Sequence, residues 1–170
     1  MKTVILCGGK GVRYSSDKPK ALALIGNKPI IHHLMDIYTS QGYNDFILAL
    51  GWKKDEIINY FMSTKHDFII TFIDTGQNNN TAKRLKIIEN YIMKDYDEGT
   101  AKINEKFFCN YCDGLANVNL SRLQIRHLTH KNIATLTAVR PINQYGVLIC
   151  NSDDKVIKLL EKPKMNEYIN

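Results

Sequence analysis

The chemistry-bearing residues of this chain begin where its first apolar run meets glycine. Thr3 Val4 Ile5 Leu6 Cys7 leads into Gly8 Gly9 Lys10 Gly11 Val12 Arg13, and Lys18 Pro19 Lys20 follows at a short interval. Glycines let a backbone come close to a polyphosphate and turn its N–H groups toward the anion. Arg13 at the loop's end and Lys20 after a proline add two cations to that cradle. The pattern is not a dinucleotide fingerprint, because Tyr14 takes the third glycine position of G-x-G-x-x-G. Nor is it a P-loop, which would need glycine where Val4 stands and a Ser or Thr after Lys10.

Asp113, followed by Gly114, comes at the end of the strand-like run 107–111. That places its carboxylate at the carboxyl edge of a sheet, where open α/β folds bind ligands and where an aspartate can hold Mg²⁺. An aspartate that merely opens a turn has the same local signature. Glu161 Lys162 Pro163 reads locally as a charged strand end before a proline stop. His127 and His130 are one helical turn apart beside Arg126 and Thr129, which favours a solvated face over a metal pair. Cys7, Cys109, Cys112 and Cys150 sit in or beside apolar stretches and are expected as buried, reduced thiols; Met35 and Met62 read as core filling.

The elements that must position these residues alternate. After a strand at 2–7, an extended piece at 21–25 ends in the turn Gly26 Asn27, and Pro29 starts a helix carrying Ile30, Leu34, Ile37 and Tyr38 that stops near Gly42. A strand at 46–50, a helix at 53–61 and a strand at 68–73 follow. Past Asp74 Thr75 Gly76 and the polar turn 77–80, Thr81 is expected to cap a helix through Leu85, Ile88 and Ile92. The charged stretch 94–105 reads as a loop. Then come a strand at 107–111, a helix at 120–129, a strand at 133–139 and a hairpin of 147–150 with 156–160. This order predicts an α/β fold, a Rossmann-like, mostly parallel sheet with helices on both faces, in one domain spanning 1–170.

Composition sets the outer bounds. At 170 residues the chain can bury about 70% of the surface it exposes when unfolded. With 44% hydrophobic and 24% charged residues it is neither disordered nor built of membrane spans. No signal-peptide core opens the chain, so a cytoplasmic location is expected. A net charge of +6 suits anionic partners. The basic residues Lys18, Lys20, Lys53, Lys54, Lys83, Arg84 and Lys86 are scattered like those of a solvated face, without the aromatic interleaving of an RNA binder. Neither nucleic acid nor a membrane is therefore expected as a partner.

Taken together, the glycine loop, Lys18 Pro19 Lys20, Ile25 Gly26 Asn27 Lys28 Pro29 Ile30, Asp74 Thr75 Gly76, the run from Thr81 to Lys86, Asp113 Gly114 and Glu161 Lys162 Pro163 Lys164 resemble the signature of the sugar-1-phosphate nucleotidyltransferases. Within that family the glucose-1-phosphate cytidylyltransferases are most similar, and the resemblance covers residues 2–164. It implies transfer of a nucleoside monophosphate from a nucleoside triphosphate, CTP before others, to a sugar 1-phosphate with release of pyrophosphate. Leu6, Gly8, Gly9, Gly11, Val12, Arg13, Thr81 and Asp113 would contact the nucleotide. Arg13, Lys20 and Lys162 would be catalytic, Glu161 and Lys162 would hold the sugar phosphate, and Asp113 would hold magnesium, the one cofactor implied.

The chain departs from that pattern at Val12, where Thr is usual, at Ala82 Lys83, where Gly-Gly is usual, and at Asn117, where a second aspartate is often found. It ends at Asn170, where relatives continue with a second metal-binding aspartate, so it reads as shortened at its C-terminus. The expectations that follow are nucleotide binding that survives better than turnover, and homo-oligomers formed through an uncovered sheet edge. Two alternatives stand beside this reading: a cytidylyltransferase for phosphocholine or a methylerythritol phosphate, and a nucleotide-binding module without turnover.

Overall fold

The computed structural model describes residues 1–11, 17–92, 106–165 and 168. They fall into two compact units, Met1–Val118 and Asn119–Asn170. The predicted loop at 94–105, like Val12 and Arg13, lies outside the described residues.

The first unit is built on β1 (Thr3–Leu6), a 3₁₀ turn (Lys20–Leu22), the two-residue ribbon β2 (Leu24–Ile25) and β3 (Lys28–Pro29), α1 (Ile30–Thr39), β4 (Asp45–Leu50), α2 (Lys54–Ser63), β5 (Ile69–Asp74), α3 (Thr81–Ile92) and β6 (Phe108–Tyr111). Four strands make one sheet in the order β5-β4-β1-β6, and all three pairings are parallel. The central strands are buried on both faces: every residue of β1 and all of β4 but Asp45. That is why TVIL and FILAL are continuous apolar runs, whereas an open sheet face would alternate.

Successive crossovers carry the chain from β1 to β4 to β5, and the next one returns it across the sheet to β6. With right-handed crossovers, α3 must lie on the opposite face from α1 and α2. The side chains agree. Val4, Leu6, Ile47, Ala49 and Ile73 form one cluster with Ile88 and Ile92 of α3, while Phe46 and Phe108 meet Tyr38 of α1 at ring-centroid distances of 6.4 and 5.7 Å. The reversal leaves a crevice at the carboxyl ends of β1 and β6, the switch point at which such sheets bind ligands.

Several local expectations are corrected. Residues 20–22 form a 3₁₀ turn, so the extended piece shrinks to β2. Asn80, not Thr81, caps α3: its Oδ1 accepts from the Lys83 N–H at 2.9 Å. Met62 is 76% exposed, because Ile57 and Phe61 define the inner face of α2 and Met62 lies a further 100° around it. Cys109 and Cys150 are exposed, the first on edge strand β6, whereas Cys7 and Cys112 are buried.

His32 on α1 is buried, its Nδ1 2.7 Å from the Tyr60 hydroxyl of α2, its ring stacked on Phe61 and edge-on to Phe68. Burial lowers its pKa; the Asp36 carboxylate, 3.7 Å from Nε2, opposes this, and Lys28, His66 and His33 add to it. The unfolded chain thus binds more protons than the folded one below about pH 6.5, and stability falls as the pH drops through and below that value. The expected result is that the melting temperature falls more between pH 7.5 and 5.5 for wild type than for His32→Gln. Equal falls in thermal melts would show that His32 is not the titrating group.

In the second unit, α4 (Leu120–His130) is capped by Asn119, whose Oδ1 accepts from the Arg122 N–H at 2.8 Å. The hairpin of β7 (Val147–Cys150) and β8 (Val156–Leu160) is antiparallel with a bulge at Ile149/Cys150. Asn151 closes it by accepting from the Asp153 and Lys155 N–H groups at 3.0 and 2.9 Å. The strand expected at 133–139 is irregular chain with a single bridge position at Val139. Ile133 and Leu136 are 104% and 75% exposed, and β-branched composition without a ladder partner does not make a strand.

Candidate active site

All four strands of the sheet end at one edge, and their loops are laced together there. Backbone N–H groups of Cys7, Trp52, Thr75 and Cys112 donate to the carbonyls of Ala49, Gly8, Leu50 and Leu6 at 3.2, 3.1, 2.8 and 3.3 Å. Between the loop after β1, the turn after β5 and the turn after β6 lies a cavity of about 460 Å³, the volume class of small-molecule and nucleotide sites. Of the sequence-predicted residues, Leu6, Gly8, Gly9, Gly11, Lys20, Thr81 and Asp113 line it.

Each gets there for a local reason. Gly8 is glycine because a Cβ would stand 2.8 Å from the Leu50 carbonyl oxygen and collide with the Arg84 guanidinium. Gly11 has φ +58°, the left-handed region, beside the Lys20 side chain. Lys20 starts the 3₁₀ turn after Pro19, and its ammonium pairs with Asp113 Oδ2. Asp113 stands in the turn after β6, which the Gly114 N–H closes onto the Tyr111 carbonyl at 3.1 Å. Thr81 opens α3 with its Oγ1 3.4 Å from the Tyr111 hydroxyl, so the N-terminal end of a twelve-residue helix borders the cavity, a favourable place for an anion.

Asp74 fixes the Asp-Thr-Gly turn: Oδ1 accepts from the Gly76 N–H at 2.9 Å and Oδ2 pairs with Lys54 at 2.7 Å. The Lys54 hydrogen bond, then that of the Gly76 N–H, lowers the pKa of the carboxyl. Cys7 and Cys112 also line the cavity, and burial pushes both thiols up, Cys112 to about 12. They stay protonated at neutral pH and are poor nucleophiles.

The expectation that Arg84 belongs to a solvated basic face is overturned by the structure. Arg84 is 5% exposed, lines the cavity, and donates to oxygens of the loop after β1, the end of β4 and the turn after β5. The signal that could have found it is spacing: Arg84, Ile88 and Ile92 recur every fourth residue on the buried stripe of α3.

Glu161 and Lys162 belong to the second unit, directly after β8, with side chains 73% and 61% exposed; Lys162 has φ +42°. Asp113 fits a magnesium ion as a hard, partly exposed oxygen donor. Among the described residues no group of three or more His, Cys, Asp or Glu side chains forms a cage. Mg²⁺ held by one carboxylate, with waters and substrate oxygens completing its shell, suits that arrangement. Among those residues no helix is long and apolar enough to cross a membrane.

A parallel α/β sheet with a glycine-loop cavity at its switch point defines a nucleotide-binding fold. The family model described as Nucleotidyl transferase matches residues 2–170, and the chain belongs to that family. A probable glucose-1-phosphate cytidylyltransferase of Bacillus subtilis is 40% identical over 100% of this chain and 72% of its own length. The glucose-1-phosphate cytidylyltransferase of Salmonella typhimurium is 34% identical over 96% of this chain and 70% of its own. Among solved structures, HddC from Yersinia pseudotuberculosis complexed with GMP-PN is similar with a TM-score of 0.64 at 25% identity, over 96% of this chain and 70% of that one. A UDP-glucose pyrophosphorylase complexed with UDP-glucose shares the fold, with a TM-score of 0.59 at 16% identity over 96% and 69%.

Proposed function

We propose that this chain transfers a cytidylyl group from CTP to a sugar 1-phosphate, glucose 1-phosphate first among candidates, in a cytoplasmic step of nucleotide-sugar synthesis that releases pyrophosphate. The observation that carries this is the placing of Lys20 and Asp113 as a pair in one cavity with the glycine loop and the α3 N-terminus. The names of the similar cytidylyltransferases support CTP and glucose 1-phosphate.

The acceptor phosphate is already ionised at neutral pH, so attack on the α-phosphorus needs no general base. What remains for the protein is in-line positioning and neutralisation of charge. The glycine loop offers backbone N–H groups to the triphosphate, and the Lys20 ammonium leaves Asp113 for the reacting phosphates. Asp113, thus released, would hold magnesium. When bound, that ion supplies charge neutralisation across the phosphate oxygens. Arg13 is assigned to the triphosphate from its place at the end of the glycine loop and from the motif resemblance, and Glu161 and Lys162 to the sugar phosphate on the resemblance alone.

Pyrophosphate release measured with CTP, UTP, dTTP, GTP and ATP against glucose 1-phosphate, other sugar 1-phosphates and phosphocholine tests the reading. CTP with glucose 1-phosphate is expected to exceed every other pair by at least about tenfold, the scale of 1.4 kcal/mol in transition-state discrimination. A purine nucleotide preferred over CTP, or phosphocholine over every sugar phosphate, would reject it.

A further inference from the structure

We infer that Arg84 is a positioning residue for the nucleotide: its guanidinium fork sets the spacing of two segments that line the cavity, the loop after β1 and the turn after β5, against the end of β4. The inference rests on the nucleotidyl-transfer reading above. Nη2 donates to the Gly8 carbonyl at 3.0 Å and to the Gln77 carbonyl at 3.2 Å, and Nη1 donates to Thr75 Oγ1 at 2.6 Å and to the Leu50 carbonyl at 3.2 Å. One side chain therefore ties the loop after β1, the end of β4 and the turn after β5. No carboxylate is among these acceptors; all four are neutral oxygens, so what the site uses is the fork's shape, which a lysine ammonium cannot reproduce.

The contact with Gly8 reaches furthest. Its carbonyl accepts from both Arg84 and the Trp52 N–H, which fixes the plane of the Gly8–Gly9 peptide. In a trans peptide the N–H is antiparallel to the C=O, so the Gly9 N–H is held pointing away from those two donors. This is how Arg84 presents the phosphate-binding loop without touching the phosphate. Gly8 fits the same logic, since a Cβ there would occupy the space of the guanidinium. The bond to Gln77 does likewise for the turn that leads to Asn80 and the start of α3.

The test compares Arg84→Lys, which keeps the charge, with Arg84→Met, which keeps the stem. Metal-free CTP binding is followed by calorimetry at 10 °C, alongside steady-state kinetics and thermal melts. Both variants are expected to weaken CTP binding by at least about tenfold and to raise its KM similarly, with the KM for the sugar 1-phosphate within about twofold of wild type. A general loss of structure would move both substrates together. Should either variant fail to fold, Thr75→Val removes the 2.6 Å acceptor with little change of shape. It is expected to weaken CTP about threefold with the same one-sided signature. Wild-type CTP affinity in Arg84→Lys, or equal losses toward both substrates, would overturn the inference while leaving the proposed reaction intact. A wild-type protein that binds no nucleotide would overturn both.

Discussion

Lys20→Ala is expected to lower turnover at saturating substrate by at least about a hundredfold while the melting temperature stays within a few degrees. The Lys20 side chain is 41% exposed and packs no core, so its removal leaves the sheet intact. What is lost is a unit positive charge beside phosphates whose charge shifts during transfer. At about 4 Å and an effective dielectric near 20, such an interaction is worth about 4 kcal/mol, and a hundredfold in rate needs about 2.7 kcal/mol. The control is Lys86→Ala, which removes an equal charge from a side chain that is 77% exposed and paired with Glu89; its rate should match wild type. Pyrophosphate release by the two variants decides the matter, and a wild-type rate in Lys20→Ala would remove Lys20 from the chemistry. Arg13→Ala carries the same expectation from its place in the glycine-loop motif.

Asp113→Asn is the second large effect, and it has a sign that a damaged fold would not produce. Asparagine keeps the shape of the side chain and removes the charge that pairs with Lys20. In wild type, CTP without metal must compete with that carboxylate for the Lys20 ammonium. In the variant the ammonium is released, so metal-free CTP affinity is expected to equal or exceed that of wild type. The gain in affinity on adding Mg²⁺, by contrast, is expected to vanish, and turnover to fall at least about a hundredfold, because the one carboxylate proposed to hold the metal is gone. Calorimetric titrations of CTP with and without magnesium, on both proteins, measure this directly. If the magnesium dependence coincides in the two, Asp113 serves only to open its turn.

The order of elements in the first unit was legible because it rests on local rules. A parallel sheet buried on both faces requires continuous apolar strands, and TVIL and FILAL announce themselves as such. Helix periodicity and the turns at Gly26 and Gly42 are equally local. Candidate site residues were found where chemistry and spacing coincide, as at Gly8, Gly11, Lys20 and Asp113, now seen lining one cavity. The strand expected at 133–139 shows the limit of that reasoning. Its composition favours extension, but a strand exists only if another segment offers a ladder, and composition does not carry the partner.

The sequence by itself determined that a glycine loop and then Lys18 Pro19 Lys20 follow the first strand, that Asp113 follows a later strand, and that the fold is α/β. Each is a property of a short window. Only the tertiary structure decided that Lys20 and Asp113, far apart in the chain, neutralise one another across the crevice. It alone decided that Arg84, on the buried stripe of its helix, meets oxygens of the loop after β1, the end of β4 and the turn after β5. Helical spacing can put Arg84 on the buried stripe, but which oxygens converge on its guanidinium is not written in a string of letters. That convergence comes from the parallel pairing of β1, β4 and β5, which brings their carboxyl ends to one edge.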